Sequence, residues 1–272
     1  MELVKKYYFI FQRRIKKLLK LLPPLLTRDI KERYAGSVFG LLWTFIQPML
    51  FIILYWLVFA QILKIRINTD TGEIPFFAFM LSGILPWFAF QDGVFRGASS
   101  IIDKRHIIKK LIFPIELFPL SSVISSFIHY GVGIILFITG YFIWKGEASI
   151  IQVIFIIILI CIQIILATGL SLLLASLSVY MRDIIHILGV VLQVIFYMST
   201  ILYPLSAVPE SLKPIIMINP LTALTEAYHD SILYGKYPET AMFYYLILTT
   251  FSVFILGVYV FRKLKKGFAD VL

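Results

Sequence analysis

The stretch "DKRHIIKKLIFP", residues 103–114, sets four Lys and Arg and one His within eight residues of a chain that is otherwise 60% hydrophobic. Wound as a helix, Arg105, His106, Lys109 and Lys110 share an arc of about 140°, with Ile107, Ile108, Leu111 and Ile112 on most of the other side. Asp103 stands at the start, where the positive helix end favours its charge, and Pro114 prevents continuation. The pattern predicts a short amphipathic peg at a membrane face, joining two long apolar segments. A plain positive loop would need the cations but not the alternating faces.

Those flanking segments set the class. A mean hydropathy of +0.92 over 272 residues exceeds what a soluble domain carries. A bilayer core of about 30 Å takes about 20 apolar residues per helix. Six spans are predicted, over 38–63, 74–102, 117–143, 150–180, 184–203 and 241–261, an all-α polytopic membrane protein. No segment alternates with the period of a β-barrel strand, and the charged first 22 residues do not read as a cleaved leader. Twenty of the 25 Lys and Arg fall in the N-terminal region, the 96–116 stretch, the 181–183 turn and the C-terminus. The positive-inside rule puts these, with both termini, on the cytoplasmic side of the cytoplasmic (inner) membrane. The net charge of +10 is then topology, and a nucleic-acid partner is not expected. With Cys161 the sole cysteine, neither an intrachain disulfide nor a structural zinc site is expected, and no other metal site is legible.

Around the spans lie two less regular regions. In residues 1–22, Val4, Tyr8, Phe11, Ile15, Leu18 and Leu22 fall within about 80° of one helical face, opposite a cluster of Lys and Arg. This predicts an amphipathic helix lying in the interface among membrane lipids. "LLPPLL" is expected to break it at Pro23 and Pro24, and a second helix, "TRDIKERYAG", to start at a Thr27 cap. Residues 1–37 thus form a cytoplasmic interfacial region ahead of a 38–272 transmembrane domain. On the outer side, residues 203–239 carry five prolines, yet their pieces stay apolar and too short to cross, which predicts a re-entrant or interfacial helical hairpin. Asp92 and Arg96, spaced i, i+4, are expected to pair along one face, while Gly36-xxx-Gly40 and Gly93-xxx-Gly97 would permit close helix contact. No phosphate-cradling Gly-rich loop and no HExxH is present. Without a charged relay in the spans, energy for transport has to come from another subunit.

The segments "LPWFAF…SSIIDKRHIIKKLIFPIELFPL" (85–120), "TRDIKERYAGSVFGLLWTFIQPM" (27–49) and "INPLTALTEAYHDSILYG" (218–235) together resemble permease subunits of type-2 ABC exporters, nearest to those for O-antigen and teichoic-acid polysaccharides. The resemblance covers the chain in topology and implies a homodimer on two copies of a nucleotide-binding ATPase, which would hold the ATP and Mg, so no cofactor and no catalytic residue is expected in this chain. By it, the 103–113 stretch is the coupling helix, with Lys104, Arg105, His106, Ile107, Ile108, Lys109, Lys110 and Leu111 meeting the ATPase. The 204–235 hairpin, with Pro204, Pro209, Pro220, Glu226, His229 and Asp230, would be the outer gate; many relatives carry Arg where His229 stands. A lipid-linked polysaccharide is too long for a closed pocket, so a continuous conduit at the dimer interface is expected. Sugar rings stack on aromatics, and the first and fifth spans offer Tyr34, Phe39, Trp43, Tyr55, Phe59, Phe196, Tyr197 and Tyr203. Two alternatives share parts of this pattern: a type-2 permease for a drug, haem or lipid, and a membrane-embedded glycosyltransferase-type enzyme, for which Glu226 and Asp230 are the one spaced acidic pair.

Overall fold

The computed structural model describes residues 20–33, 36–65, 67–69, 72–108, 113–146 and 149–271. Helix α1 is described over residues 20–32; α2 is Trp43–Tyr55, continued by a π-helical turn, Trp56–Ile62. The long helices are α3 (Phe76–Asp103), α5 (Leu117–Lys145), α6 (Ile150–Ser178) and α10 (Thr240–Leu264). Between or after them come α4 (Arg105–Ile108), α7 (Asp183–Met198), α8 (Lys213–Met217), α9 (Pro220–His229) and α11 (Phe268–Val271). The helical expectation needs one addition. An antiparallel ribbon, β1 (Ile67–Thr69) on β2 (Gly72–Ile74), pairs Ile67 with Ile74 ahead of α3.

Helix α3 is the hub, packed on α5 and α6, while α10 closes on α6. Of the most apolar window in α3, 78% is buried inside the protein; of the first span's, none is. Small residues make these approaches possible, since little hydrophobic drive separates helix from lipid. Gly93 faces the Val123 backbone on α5, and a side-chain carbon on Gly97 would overlap Ser171 on α6. A carbon on Gly257 of α10 would collide with the Gly169 carbonyl of α6, a contact no sequence motif had announced. Gly36 and Gly40 behave otherwise. Both have positive φ, 81° and 46°, and among the described residues no neighbour near where a side chain would stand, so they serve the backbone turn into α2 rather than a helix contact within the chain.

Among the described residues, five helices are long and apolar enough to cross a membrane: Phe45–Ile62, Phe76–Asp103, Leu117–Lys145, Ile150–Ser178 and Thr240–Gly267. The expected fifth span, to residue 203, is shorter than predicted. Helix α7 stops at Met198 and Ser199 turns extended (ψ 150°), its Oγ donating to the Ile195 carbonyl while accepting from Asn219 Nδ2. Asn219 also caps α9, accepting from Leu221 N, with Pro220 at the first helical position.

Near the N-terminus the two-helix expectation fails. Helix α1 runs through Pro23 and Pro24, and Thr27 is no cap: its Oγ1 donates back to the Pro23 carbonyl at 3.1 Å. Proline's fixed φ is already helical, and what Pro23 and Pro24 forfeit are hydrogen bonds to residues 19 and 20, at the edge of the described helix. The amphipathic pattern of residues 1–19 lies outside the described residues. Asp103 does not cap the peg either. It ends α3, accepting from Ser99 Oγ at 2.7 Å, and the chain bends at Lys104 before α4.

Candidate functional site

Where α2, α3, α5 and α7 meet, a groove of about 190 Å³ opens on the bundle surface. Its floor is aromatic: Trp87 and Phe88 from α3, Phe51 and Tyr55 from α2, Tyr130 from α5 and Phe196 from α7. The rings form a connected set, with centroids 5.4 Å apart for Tyr55–Phe196, 5.6 Å for Trp87–Phe196 and 6.0 Å for Phe88–Tyr130. Polar groups stand among them: Gln47 on α2, Gln91 and Asp92 on α3, Gln193 on α7. Trp87 Nε1 donates to Gln91 Oε1 at 2.6 Å, one turn along α3, fixing both side chains. Trp87 and Phe196 are buried and the other rings only partly exposed, so the groove offers aromatic edges and faces among amides, which suits a ligand with apolar faces and hydroxyl edges.

Of the aromatics expected on the first and fifth spans, Tyr55 and Phe196 line this groove. Tyr197 adjoins Phe196 at 5.1 Å, and Tyr203 donates to the Tyr197 carbonyl. Phe59 instead stacks on Phe76 at 6.2 Å, and Phe39 and Trp43 pair edge-on at the exposed start of α2. Tyr34 lies outside the described residues. Sequence reading missed Trp87, Phe88, Tyr130 and the amides. Gln47 and Gln193 carry a signal that could have found them, as amide side chains placed well inside apolar spans.

One end of the groove is fastened to the N-terminal helix. Asp92 and Arg96 do not pair with each other: Arg33 Nη1 meets Asp92 Oδ2 at 2.7 Å, and Arg96 Nη2 lies 3.4 Å from Asp29 Oδ2. A helical i, i+4 pair is the weaker option here, because α1 brings buried partners of opposite charge to both. Ser126 of α5 donates to Asp92 at 2.6 Å. Asp29, 3% exposed, accepts from Ser125 Oγ at 2.5 Å and from Lys104 Nζ at 2.9 Å. Burial alone would raise the Asp29 carboxyl; Lys104, the Ser125 hydroxyl and Arg96 together outweigh it and hold it below its usual 3.8. Lys104, expected to face a partner, thus folds inward. Arg105 and His106 are exposed, the side chains of Ile107 and Ile108 are not described, and Lys109, Lys110 and Leu111 lie outside the described residues. The same end gathers the C-terminal tail, through Lys265 Nζ on Glu116 at 2.6 Å and Tyr180 on the Leu264 carbonyl.

At the opposite end α9 is held inside the bundle. Tyr228 donates to Gln163 Oε1 (2.9 Å), and Gln163 Nε2 donates to the Pro86 carbonyl (3.1 Å), so one amide ties α9 and α6 to the proline of α3. His229 is fully buried with its ring 4.0 Å from that of Phe79, while Glu226 and Asp230 on the same stretch are half-buried. Pro220 starts α9; Pro204 and Pro209 lie in the preceding arm, flanking the turn Leu205–Ala207. Among the expected gate residues, Pro220, Glu226, His229 and Asp230 therefore share one segment and the other two prolines do not.

Comparison with known proteins agrees with this architecture. Residues 23–233 match the family described as ABC-2 type transporter. An O-antigen export system permease protein RfbA from Klebsiella pneumoniae is 30% identical over 257 residues, 94% of this chain and 96% of that protein. A permease of the same name from Myxococcus xanthus is 29% identical over 252 residues, 92% and 94% of the two chains. The polysialic acid transport protein KpsM of Escherichia coli is 22% identical over 246 residues, 89% and 93%. With the matched family spanning most of its length, and with membrane-spanning helices bundled around α3, the chain belongs to the ABC-2 type transporter family.

Proposed function

We propose that the chain is the transmembrane subunit of an ATP-driven exporter that moves a lipid-linked polysaccharide out across the cytoplasmic membrane. The observation that carries the reading is the groove, where Phe51, Tyr55, Phe88 and Tyr130 stand among the amides of Gln47, Gln91 and Gln193, over the buried rings of Trp87 and Phe196. Sugar C–H faces stack on such rings, and sugar hydroxyls take such amides. A drug or haem would leave the amides unpaired, at the cost of desolvating them.

In this reading two copies of the chain form a homodimer, and the conduit runs between their grooves. Helix α7, extended by the segment through Tyr203, completes a six-span topology with both termini in the cytoplasm. Residues 1–37 lie in the cytoplasmic interface among lipid headgroups, and residues 38–272 form the transporting domain. The 204–235 hairpin is a re-entrant outer gate, and the 103–113 peg sits on two ATPase subunits, which bind ATP and Mg and perform the hydrolysis.

The test is the fate of the glycan in cells depleted of this protein, with a plasmid-restored control. Polymer accumulates inside and is lost from the surface, and the plasmid reverses both. Unchanged surface glycan, in a strain with no second exporter, overturns the polysaccharide reading.

A further inference from the structure

The groove holds hydrogen-bonding groups but no positive charge. Among its lining residues there is no Lys or Arg, and the one ionisable acid is Asp92. The walls that a second copy would contribute are equally bare. Neither α2 with its π-helical continuation, WTFIQPMLFIILY–WLVFAQI, nor α7, DIIHILGVVLQVIFYM, contains Lys or Arg. The nearest cations are already committed. Arg33 is 5% exposed and holds Asp92 Oδ2 and Ser126, and Arg96 turns to Asp29. Asp92 Oδ2 serves Arg33 and Ser126, and Oδ1 has no protein partner among the described residues.

We infer that the cargo is an uncharged glycan, whose hydroxyls are taken by Gln47, Gln91, Gln193 and Oδ1 of Asp92, and that the groove rejects polyanionic chains. The inference rests on the groove being the glycan path. A chain with one carboxylate per ring would lose hydration beside aromatic faces and meet no paired cation, which is how buried charge becomes costly. The nearest cation, Arg33, is taken up by the Asp92 carboxylate and leaves no charge over for it. Neutral rings avoid both penalties. Their hydroxyls donate to the carboxylate and the amide oxygens and accept from the amide nitrogens, so every polar edge finds a partner. Selection here is by what the site refuses as much as by what it holds.

The experiment uses the permease–ATPase complex in nanodiscs and two probes with the same rings: the α2,8-linked sialic acid heptamer, and its counterpart with every carboxylate reduced to an alcohol. Binding is read by equilibrium dialysis at fixed salt. The reduced heptamer binds at least about tenfold more tightly. Gln193→Lys, on the exposed side of α7 and outside the Arg33–Asp92 network, raises affinity for the acidic heptamer by about fivefold or more, and Gln47→Lys does the same from α2. Equal binding of the two probes, or no response to either Lys variant while Phe51→Ala still weakens binding, overturns the charge selectivity and leaves the glycan groove standing. If neither probe binds, or if Phe51→Ala changes nothing, the groove reading falls and the inference with it.

Discussion

The Asp29 carboxylate receives Ser125 from α5, Lys104 from the start of the peg and Arg96 from α3, so four segments converge on one acid. Removing a buried acid strands its cations, and the stranded charge costs more than the lost bond. Asp29→Asn is expected to lower stability by about 3 kcal/mol, measured by thermal unfolding of the detergent-solubilised protein, and to free α1 for limited proteolysis. Lys104→Met in the same background restores part of the loss because no unpaired ammonium remains. The pH dependence follows from the sign of the shift. Because the folded acid ionises below 3.8, its contribution is complete above 3.8 and is lost only as pH falls through the lower folded value. Release of α1 should therefore stay flat from about pH 5 to pH 8 and rise only in strong acid; a midpoint near neutrality would mean that Asp29 is not the clasp. This cluster was half legible. Asp92 and Arg96 stand out as charges near a span, but spacing compares residues on one helix, and their partners are 59 and 67 residues away.

At the scale of elements, the backbones of α6 and α10 come into contact where Gly257 lies against the Gly169 carbonyl. A side chain there cannot rotate out of the way, because its neighbour is backbone. Gly257→Val should part the two helices and cost about 1–3 kcal/mol, whereas Gly131→Val, with open space beside it, should cost little. The comparison is made by unfolding in detergent; equal losses would show that helix propensity and not the crossing sets the effect. Span positions in α3, α5, α6 and α10 were legible because twenty or so apolar residues in a row have few other fates. The end of α7 was not. Its apolar run continues past Ser199, and the break depends on Asn219, which is distant in sequence and whose amide reaches Ser199. The course of α1 through Pro23 and Pro24 was hidden for a related reason. Proline fixes φ at a value the helix already uses, so what it forfeits is a hydrogen bond and not the backbone course.

Across the whole molecule, charge and aromatics divide the work. The basic segments of α1, the peg, the α6–α7 turn and the tail collect at one end, joined by Asp29–Lys104, Lys265–Glu116 and Tyr180–Leu264, while the amide-studded groove opens along the span that leads there. That segregation was readable from the distribution of Lys and Arg alone, because each charged segment is local in sequence. The groove was readable only in part, since it exists only where four helices meet, and Tyr55 and Phe196 were named without Trp87 between them. Asp92 connects the two ends of this arrangement: it lines the groove and holds Arg33, whose helix also holds the start of the peg through Asp29. Motion imposed on the peg therefore has a packed route to the groove. Under the proposed function, the exposed Arg105 and the peg cations Lys109 and Lys110 meet acidic groups of the ATPase, while Lys104 belongs to the permease interior. Reversing Arg105, Lys109 and Lys110 to Glu should cut ATPase co-purification about tenfold or more and abolish export. Membrane insertion should survive, because most of the cations on that side remain. Lys104→Glu should act differently, lowering the stability of the permease itself by placing a second acid against Asp29. If the triple variant retains both its ATPase and export, the peg is a topology signal alone; if Lys104→Glu matches the triple variant with its stability unchanged, the inward ion pair does not hold in the membrane.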